Sequence, residues 1–352
     1  GSEMCIRDRA GGIGSRLWPF SRTNYPKQFH DILGTGKTLL QQTAERFSNV
    51  CPNENIYIVT NASYKSLVKE QLPFLQDDQI LLEPISRNTA PCIAYASYKI
   101  AEKNSEASIV VCPSDHIILK ENIFEEKILQ ALNHSQKEDI LITLGIMPTR
   151  PDTGYGYIQF EEQTSLPYKV KTFREKPELA LAQQFLASGD FVWNAGIFIW
   201  STKSIINSFE SFLPEMHQTF IEGNEFYYTE KEQSFIDKIY STCESISIDY
   251  GIMEKAQNVY MIPADMGWSD LGTWKSIYEV QEKDSGNNVL DGNIKIYDTQ
   301  NCIIKSPEDR LVIAQGLDGY IVAEFDNVLM ICKKEEEQQV KKFVADIKAE
   351  NN

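Results

Sequence analysis

A glycine-rich stretch near the start of the chain holds the residues best suited to chemistry. It spans residues 10–29, AGGIGSRLWPFSRTNYPKQF, and its glycines are Gly11, Gly12 and Gly14. Glycine lets backbone N–H groups approach a bound anion closely and tolerates positive φ. Arg16 and Lys27 add two positive charges to the same stretch. This combination predicts a site for a triphosphate, whose negative charge must be held and neutralised during reaction.

Two common phosphate-binding motifs do not account for these glycines. A dinucleotide-binding fingerprint that starts at Gly12 needs glycine at its sixth position, which is Leu17. The run GTGKT at residues 34–38 is like the end of a P-loop, but a P-loop would need glycine where Asp31 stands. We interpret GTGKT as a turn followed by the start of a helix.

Two aspartates that follow predicted strands are candidate metal ligands. Asp115 lies in CPSDH after an apolar strand at 108–112, and Asp270 lies in GWSDLG. The C-terminal ends of strands in parallel α/β sheets are where ligands bind. Mg²⁺ prefers one or two carboxylates together with phosphate oxygens and waters. Asp115 could instead cap a helix, and we interpret the neighbouring His116 as structural.

Composition limits the class of protein. A chain of 352 residues favours one large and one small unit. The net charge of −16 argues against a nucleic-acid-binding surface, so a polyanionic ligand would need a local basic pocket. The seven cysteines include no CxxC pair, which indicates reduced thiols in a cytoplasmic protein. No apolar run reaches the ~18 residues of a membrane span, and no signal peptide is recognisable.

The order of elements predicts an α/β fold. Between residues 38 and 145, continuous apolar strands alternate with helices, including one that opens at Asn88 or Thr89. Such a pattern is typical of a Rossmann-like, mixed, mostly parallel sheet with helices on both faces. Near the N-terminus, Arg7 and the next two charged residues would lie at the sheet centre, so we expect a weakened first strand.

The second half of the chain changes character. Antiparallel strands are expected at 155–161 and 168–175, and a helix is expected at 248–256. Beyond residue 284, short strands separated by turn residues predict a small all-β, β-helix-like unit. A charged helix over 333–348 follows it. The predicted domains are therefore 1–284 and 285–352.

The spacing GGxGxRLxPxS…PK over residues 11–27 resembles the signature of the sugar-1-phosphate nucleotidyltransferases. Its form RLWP…SR…PKQF is most similar to the mannose-1-phosphate guanylyltransferase branch, and the resemblance covers nearly all of 10–282. It implies a nucleotidyltransferase domain that transfers GMP from GTP to mannose 1-phosphate with Mg²⁺ and releases pyrophosphate. The implied catalytic residues are Arg16, Lys27 and Asp115, and the implied metal ligands are Asp115 and Asp270.

The resemblance also assigns the nucleotide site. The segment EPISRNTAP at residues 83–91 is similar to a family segment that faces the nucleotide, and it enters a helix N-terminus, which suits anions. The alternative interpretation is an ordinary capped helix start. The implied nucleotide-binding residues are Ala10, Gly11, Gly12, Gly14, Ser15, Arg16, Lys27, Glu83, Arg87, Asn88 and Thr89.

A sugar site is implied in the same way. The block around Gly154 and Gly156 allows close backbone approach to a sugar ring. Alone, the EKP tripeptide at 175–177 would be an ordinary strand-to-helix junction. Beside WNAG at 193–196 it resembles the family's sugar-phosphate pocket, whereas Trp193 itself is expected in the core. The implied substrate-binding residues are Gly154, Tyr155, Glu175, Lys176 and Asn194.

Several alternatives remain at this stage. The same reaction could act on another sugar 1-phosphate, of the heptose or fucose type. A catalytically silent regulator would be expected to lack one of the residues Arg16, Lys27, Asp115 or Asp270, and all four are present. Some relatives carry an added isomerase domain, which we do not expect within these 352 residues. The expected partners are GTP and mannose 1-phosphate, without nucleic acid or membrane, and dimer contacts through the tail are left open.

Overall fold

The computed structural model describes the backbone of residues 2–7 and all atoms of residues 15–351. The strands, in chain order, are β1 Ser2–Arg7, β2 Ile56–Asn61, β3 Ile80–Glu83, β4 Ser108–Pro113, β5 Ile117–Ile118, β6 Leu141–Ile146, β7 Tyr157–Glu161, β8 Tyr168–Arg174, β9 Phe191–Ser201, β10 Val259–Pro263, β11 Trp268–Ser269, β12 Val289–Asp291, β13 Asn293–Tyr297, β14 Ile303–Lys305, β15 Leu311–Gln315, β16 Tyr320–Phe325 and β17 Val328–Lys333. The helices are α1 Leu39–Arg46, α2 Lys65–Gln71, α3 Thr89–Lys103, α4 Glu121–Ser135, α5 Leu179–Ser188, α6 Thr202–Phe212, α7 Pro214–Ile221, α8 Glu232–Tyr240, α9 Trp274–Val280 and α10 Val340–Glu350.

Contacts divide the described residues into two compact units. The first unit contains residues 2–7, 43–114 and 118–268, and the second contains residues 15–42, 115–117 and 269–351. The predicted boundary between residues 284 and 285 follows the order of the chain, whereas this division groups segments by proximity. The boundary itself therefore stays a prediction.

A mixed sheet forms the centre of the first unit. Within the described residues, nine strands pair in the order β3-β2-β1-β4-β9-β6-β10-β8-β7. The run β3-β2-β1-β4 and the pair β6-β10 are parallel, and the pairings of β9, β8 and β7 with their neighbours are antiparallel. Every residue of β4 is buried, which requires cover on both faces of the sheet. The predicted α/β class is confirmed.

The first strand forms despite its charged end. β1 lies between β2 and β4 and pairs in parallel with both, with Arg7 opposite Val59 and Pro113. Parallel pairing uses backbone N–H and C=O groups, which every residue except proline supplies in full. Asp8 and Arg9, which were also expected to disturb the sheet centre, lie outside the described residues.

Helix α3 begins where the sequence predicts. The Asn88 side chain accepts a hydrogen bond from the Thr89 N–H, and Asn88 itself has φ +68°. Positive φ is uncommon for a residue other than glycine, and asparagine is among the residues enriched there and is a preferred N-cap. All residues from Thr89 to Ile100 are buried, so the helix is surrounded by protein for most of its length. The cap fixes the start of this helix at the end of the EPISRNTAP loop.

The second unit contains the predicted all-β structure. Its strands form two sheets, β12-β14-β16-β17 and β13-β15, and successive strands from β12 to β16 alternate between them. Ile304 and Val322 of one sheet and Ala314 of the other belong to one buried cluster. Alternation of parallel strands between sheets is the winding of a β-helix. The predicted single C-terminal helix is wrong in its first part, because residues 334–339 form a 3-10 segment before α10 begins.

A separate core joins residues 15–42 to the β strands of the second unit. Leu17 and Phe20 pack in one buried cluster with Trp274 and Ile303. Arg22 adds an ion pair of 2.8 Å with Asp326. These contacts position the segment that carries Lys27. Across the described residues, no helix has the length and apolar character needed to cross a bilayer.

Candidate active site

Lys27 brings the two predicted metal ligands together. It begins a 3-10 turn, Lys27–Phe29, and its side chain is buried. Its Nζ atom lies 3.1 Å from Asp115 Oδ2 and donates a 2.7 Å hydrogen bond to the backbone carbonyl oxygen of Asp270. A buried ammonium needs such partners, because burial of an unpaired charge is costly. Three residues that are far apart in the chain therefore meet in the second unit.

The loop that carries Asp270 has an unusual backbone. Leu271 has φ +45°, and its N–H donates to Ser269 Oγ at 3.1 Å, while the Gly272 N–H donates to Asp270 Oδ1 at 3.2 Å. A left-handed conformation at a leucine costs of order 1–3 kcal/mol and is typical of functional loops. In this loop the Asp270 carbonyl accepts from Lys27, and the Asp270 carboxylate accepts from the N–H of Gly272, two residues later.

The carboxylates of Asp115 and Asp270 fit the predicted metal. Mg²⁺ takes one or two carboxylates and completes its shell with substrate phosphate oxygens and waters. Across the described residues, no group of three or more His, Cys, Asp or Glu side chains is arranged to enclose a metal ion. His116 Nε2 lies 3.5 Å from Asp115 Oδ1. The two carboxylates are of the ligand type that Mg²⁺ prefers, and their part in metal binding stays a prediction.

Arg16 lies in the 3-10 turn Ser15–Leu17 of the same unit. Burial raises the pKa of the Glu337 carboxyl, and the positive charges of Lys275 and Arg16 oppose that rise. The Arg16 guanidinium therefore lies near Glu337. Within the described contacts it forms no ion pair with either Asp115 or Asp270. The other predicted residues of this loop, Ala10, Gly11, Gly12 and Gly14, lie outside the described residues, and their role stays a prediction.

The GTGKT run is a turn, as predicted. The Asp31 carboxylate accepts hydrogen bonds from the N–H groups of Thr35, at 2.9 Å, and Gly36, at 2.7 Å. Helix α1 begins after the run, at Leu39. The backbone amides that would hold phosphate in a P-loop hold a protein carboxylate here.

The EPISRNTAP segment is tied to the chain around residue 245. Glu83 is buried at the end of β3. Arg87 donates to the carbonyl oxygens of Tyr240 at 3.0 Å and Ser241 at 2.9 Å. Thr89 Oγ1 accepts from the Ile248 N–H at 2.8 Å. Arg87 and Thr89 thus have structural partners within the first unit, and their predicted nucleotide contacts remain untested.

The predicted sugar-binding residues cluster in the first unit. The Asn194 N–H donates to the Gly156 carbonyl at 2.8 Å, and the Lys176 N–H donates to the Tyr155 carbonyl at 3.2 Å. Lys176 has φ +44° and an exposed side chain. A Cβ atom at Gly156 would collide with Glu175 Oε1, so a larger residue there would require that carboxylate to move. β7, the end of β8 and β9 together place these residues side by side.

The loop that precedes β7 is rigidly held. Asp152 Oδ1 accepts from the Gly154 N–H at 2.7 Å, and Arg150 forms a 3.0 Å ion pair with the Asp152 carboxylate. The Tyr155 ring packs edge-on against Trp193, with centroids 4.9 Å apart. Trp193 is buried, as predicted.

Sequence analysis missed one residue of this cluster. Asp249 Oδ1 accepts a 2.8 Å hydrogen bond from Asn194 Nδ2. Burial and then the charge of Asp249 raise the pKa of Glu175 to about 7, against the opposing effects of Asn194 and Lys176. The helix predicted at 248–256 is a shorter π-helical turn, Asp249–Met253, and Asp249 opens it. A carboxylate at the start of a predicted helix was the available signal, but such residues usually act only as local caps.

Comparison with known proteins identifies the family of the chain. A family model described as Nucleotidyl transferase matches residues 10–287, and one described as MannoseP isomerase/GMP-like beta-helix domain matches residues 292–347. A putative mannose-1-phosphate guanylyltransferase from Vibrio cholerae serotype O1 is 36% identical, over 97% of this chain and 74% of its own. A mannose-1-phosphate guanylyltransferase from Salmonella montevideo is 37% identical, over 97% of this chain and 73% of its own.

A solved structure is similar along the whole chain. It is described as a mannose-1-phosphate geranyltransferase from Thermus thermophilus, and it matches with a TM-score of 0.88 and 29% identity over 99% of both chains. The predicted resemblance is thereby confirmed for both the α/β part and the β-helix part. The chain belongs to the nucleotidyl transferase family and is an enzyme of the mannose-1-phosphate guanylyltransferase type.

Proposed function

We propose that the protein transfers GMP from GTP to α-D-mannose 1-phosphate, giving GDP-mannose and pyrophosphate. The observation that carries this proposal is the position of the Lys27 ammonium, 3.1 Å from Asp115 and 2.7 Å from the Asp270 carbonyl. A buried cation that contacts one aspartate carboxylate and the backbone of a second aspartate suits a metal-bound triphosphate. The names of the relatives support guanine as the base and mannose as the sugar.

The proposed reaction is a direct phosphoryl transfer. A phosphate oxygen of mannose 1-phosphate forms a bond to the α-phosphorus of GTP. The bond from that phosphorus to the oxygen bridging the β-phosphate breaks, and pyrophosphate leaves with the electron pair. Lys27 and Arg16 stabilise the charge that develops on the departing pyrophosphate. Such catalysis depends on positioning and electrostatics and needs no protein nucleophile.

Asp115 and Asp270 are the proposed ligands of Mg²⁺, which supplies charge neutralisation on the triphosphate when it is bound. The ion pair with Lys27 fixes the rotation of the Asp115 carboxylate. The hydrogen bond from the Gly272 N–H does the same for Asp270. Both carboxylates are thus oriented before substrate arrives, which lowers the reorganisation required during the reaction.

The sugar phosphate is assigned to the cluster of the first unit. Lys176 has an exposed ammonium on a constrained backbone, which suits the neutralisation of the sugar phosphate. Glu175 and Asn194 are the proposed partners of sugar hydroxyls. The proposed nucleotide contacts are those of Ser15, Arg16, Lys27, Glu83, Arg87, Asn88 and Thr89, together with the loop residues Ala10, Gly11, Gly12 and Gly14.

Pyrophosphate release tests the proposal directly. The purified protein is assayed with GTP, ATP, UTP and dTTP, each against mannose, glucose, fucose and heptose 1-phosphates. We expect the rate of pyrophosphate release to be higher with GTP and mannose 1-phosphate than with any other pair of substrates. Release with GTP and a heptose or fucose 1-phosphate in place of mannose would support the alternative sugar. Activity with another nucleotide and none with GTP would overturn the proposal.

A further inference from the structure

Arg22 attaches the segment that carries Lys27 to the turn between β16 and β17, within the strands β12–β17 that are called the β-helix below. Each of its three guanidinium nitrogens donates to a different acceptor: Nε to the Pro19 carbonyl at 2.9 Å, Nη1 to Asp326 Oδ2 at 2.8 Å and Nη2 to the Phe325 carbonyl at 3.0 Å. A guanidinium is planar and presents its N–H groups in a fixed fork, so three such bonds determine its orientation. Arg22 therefore binds its own segment with one nitrogen and the β-helix with the other two.

The acceptors of Arg22 lie on a well-defined hairpin. β16 and β17 pair along six residues each, and Asp326 and Asn327 connect them. Both connecting residues have positive φ, +47° and +62°, as a type I′ turn requires, and aspartate and asparagine are common in such turns. Strand pairing and turn residues together thus hold the acceptors in place for Arg22.

Lys305 attaches the other end of the same segment. Its side chain is buried in β14, where Nζ donates to the Asp31 carbonyl at 3.2 Å and pairs with the Asp291 carboxylate. The same ammonium lies 5.4 Å from the centroid of the Phe20 ring. Because a buried ammonium is costly without partners, these contacts oppose any movement of the backbone at Asp31 away from β14.

Between these two attachments, the segment packs against one aromatic side chain of the β-helix. The centroid of the Phe325 ring lies 4.9 Å from that of His30 and 6.3 Å from that of Tyr25. Arg22 and Tyr25 also exchange two backbone hydrogen bonds of 3.1 Å, which close the loop that precedes Lys27. The loop is therefore held along its length as well as at its ends.

Lys27 lies between the two attachments, five residues after Arg22 and four before Asp31. Its Nζ atom lies 3.1 Å from Asp115 Oδ2 and 2.7 Å from the Asp270 carbonyl oxygen. A lysine side chain is a flexible four-carbon stem, so the position of its ammonium depends on the backbone that carries it. Catalytic groups must be held within about 0.5 Å of the productive geometry by surrounding contacts. Contacts with the β-helix on both sides of Lys27 can supply that support.

We propose that the β-helix is a scaffold for catalysis, in which Arg22 and Lys305 are positioning residues that hold the Lys27 ammonium where negative charge develops on the departing pyrophosphate. Both act through the backbone of residues 19–31. This inference rests on the proposed function, because it takes Lys27 as the cation of the phosphoryl transfer.

The kinetics of matched variants test this role. kcat and both KM values are measured for the wild type, Arg22→Gln, Arg22→Lys and the control Arg310→Gln, whose native arginine pairs with Glu324 at 2.9 Å within the same β-helix. A misplacement of about 1 Å can cost ~10²-fold in rate, so Arg22→Gln should lower kcat about 10- to 100-fold and leave the KM for mannose 1-phosphate unchanged. Arg22→Lys should keep that defect, because lysine retains the charge but not the fork. Arg310→Gln should match the wild type.

A double-mutant cycle with Lys27 separates positioning from general stabilisation. In a Lys27→Met background, Arg22→Gln should cause no further loss of kcat, since the ammonium through which Arg22 acts is already absent. A second, independent loss of kcat in that background overturns the proposal. Restoration of the wild-type kcat in Arg22→Lys also overturns it, because charge alone would then be sufficient.

Acylation of lysine amines reports on the position of Lys27 without reference to activity. The wild type and Arg22→Gln are treated with an N-hydroxysuccinimide ester, and the labelling of each lysine is followed by peptide mass spectrometry. Lys27 should become several-fold more reactive in the variant, whereas the exposed Lys37 and the buried Lys99 of the first unit should label as in the wild type. Equal labelling of Lys27 in both proteins, or a parallel rise at Lys99, overturns the proposal.

Lys305→Met tests the second attachment in the same two assays. It should lower kcat and expose Lys27 to acylation, and a folded variant with wild-type values of both overturns the role of Lys305. If Lys305→Met does not fold, the Arg22 variants decide alone. A wild type that releases no pyrophosphate with any pair of substrates contradicts the proposed function, whereas the labelling of Lys27 still decides whether the β-helix holds it.

Discussion

The Nζ atom of Lys27 and the Oδ2 atom of Asp115 lie 3.1 Å apart with both side chains almost wholly buried. The pair joins a segment near the N-terminus to the end of a strand 88 residues later in the printed sequence, from position 27 to position 115. Burial of both charges is tolerable because each has a partner of opposite sign. The same ammonium also reaches the Asp270 carbonyl, so one side chain organises both proposed metal ligands.

Replacement of Lys27 separates catalysis from stability. Lys27→Met leaves Asp115 buried without its ammonium, so we expect a loss of about 3–5 kcal/mol in the free energy of unfolding. The rate of pyrophosphate release should fall on the order of 10²–10³-fold. The double variant Lys27→Met with Asp115→Asn should recover stability in urea titrations but no activity. Recovery of near-wild-type turnover in either variant would contradict the role given to Lys27.

Replacement of Lys37 tests the interpretation that GTGKT is a turn and not a phosphate-binding P-loop. It is an exposed lysine in GTGKT, and the amides of Thr35 and Gly36 are already bonded to Asp31. Lys37→Ala should therefore leave kcat and the KM for GTP within about twofold, since a surface change away from such features has small effects. If Lys37→Ala lowers the affinity for GTP as much as the loss of a P-loop lysine would, the turn binds phosphate.

Glu175 should make stability fall as pH rises. Its pKa is about 7 in the folded protein and 4.5 when unperturbed. Between these values the folded state keeps a proton that the unfolded state has lost, so stability decreases from about pH 4.5 to about pH 7. Glu175→Gln should gain stability relative to the wild type across that window, by at most about 1.4 kcal/mol per pH unit.

Chemical denaturation at pH 5 and pH 8 measures this difference. Glu161→Gln serves as the control, because Glu161 is an exposed carboxylate on neighbouring β7. A Glu175→Gln variant whose advantage over the wild type is the same at both pH values would show that the carboxyl titrates normally.

His30 should make the free energy of unfolding fall as pH decreases, opposite to the effect of Glu175. Burial, with smaller contributions from Lys305 and Arg22, lowers the pKa of His30 from 6.5 to about 4. The neutral ring donates from Nε2 to the Tyr25 carbonyl at 3.0 Å. As pH falls from 6.5 to about 4, His30 becomes protonated in the unfolded state but stays neutral in the folded state. The free energy of unfolding therefore decreases on acidification.

His30→Asn keeps a hydrogen-bond donor and removes the titration. Its unfolding free energy should therefore change less between pH 7 and pH 4.5 than that of the wild type, whereas His134→Asn, at a half-buried histidine of α4, should follow the wild type. Parallel pH profiles for the wild type and His30→Asn would refute the assignment.

Local patterns in the sequence predicted the elements that depend on local physics. The start of α3 follows from the cap at Asn88. The strand predicted at 108–112 follows from its continuous apolar run, and the structure extends it to Pro113. The turn at GTGKT followed from the aspartate at position 31, which the structure shows bonded to the turn amides. Each of these features is determined by residues only a few positions away in the sequence.

The features that were missed depend on contacts between distant segments. Asp249 acquires its role from Asn194, 55 residues earlier, and no local pattern distinguishes it from a helix cap. The packing of Phe20 with Trp274 and Ile303 places the Lys27 segment in the second unit, and hydrophobicity alone does not reveal which cluster a residue joins. The 3-10 segment at 334–339 likewise replaced a turn of the predicted terminal helix.

Pyrophosphate release as a function of magnesium tests the central proposal most directly. The wild type, Asp115→Asn and Asp270→Asn are assayed with GTP and mannose 1-phosphate from chelator alone to millimolar Mg²⁺. We predict no turnover by the wild type in chelator, restoration by Mg²⁺, and a higher Mg²⁺ requirement for Asp270→Asn, whose amide oxygen can still accept from Gly272. Equal turnover with and without Mg²⁺, or wild-type Mg²⁺ dependence in both variants, would contradict a site in which Lys27, Asp115 and Asp270 meet a metal-bound triphosphate.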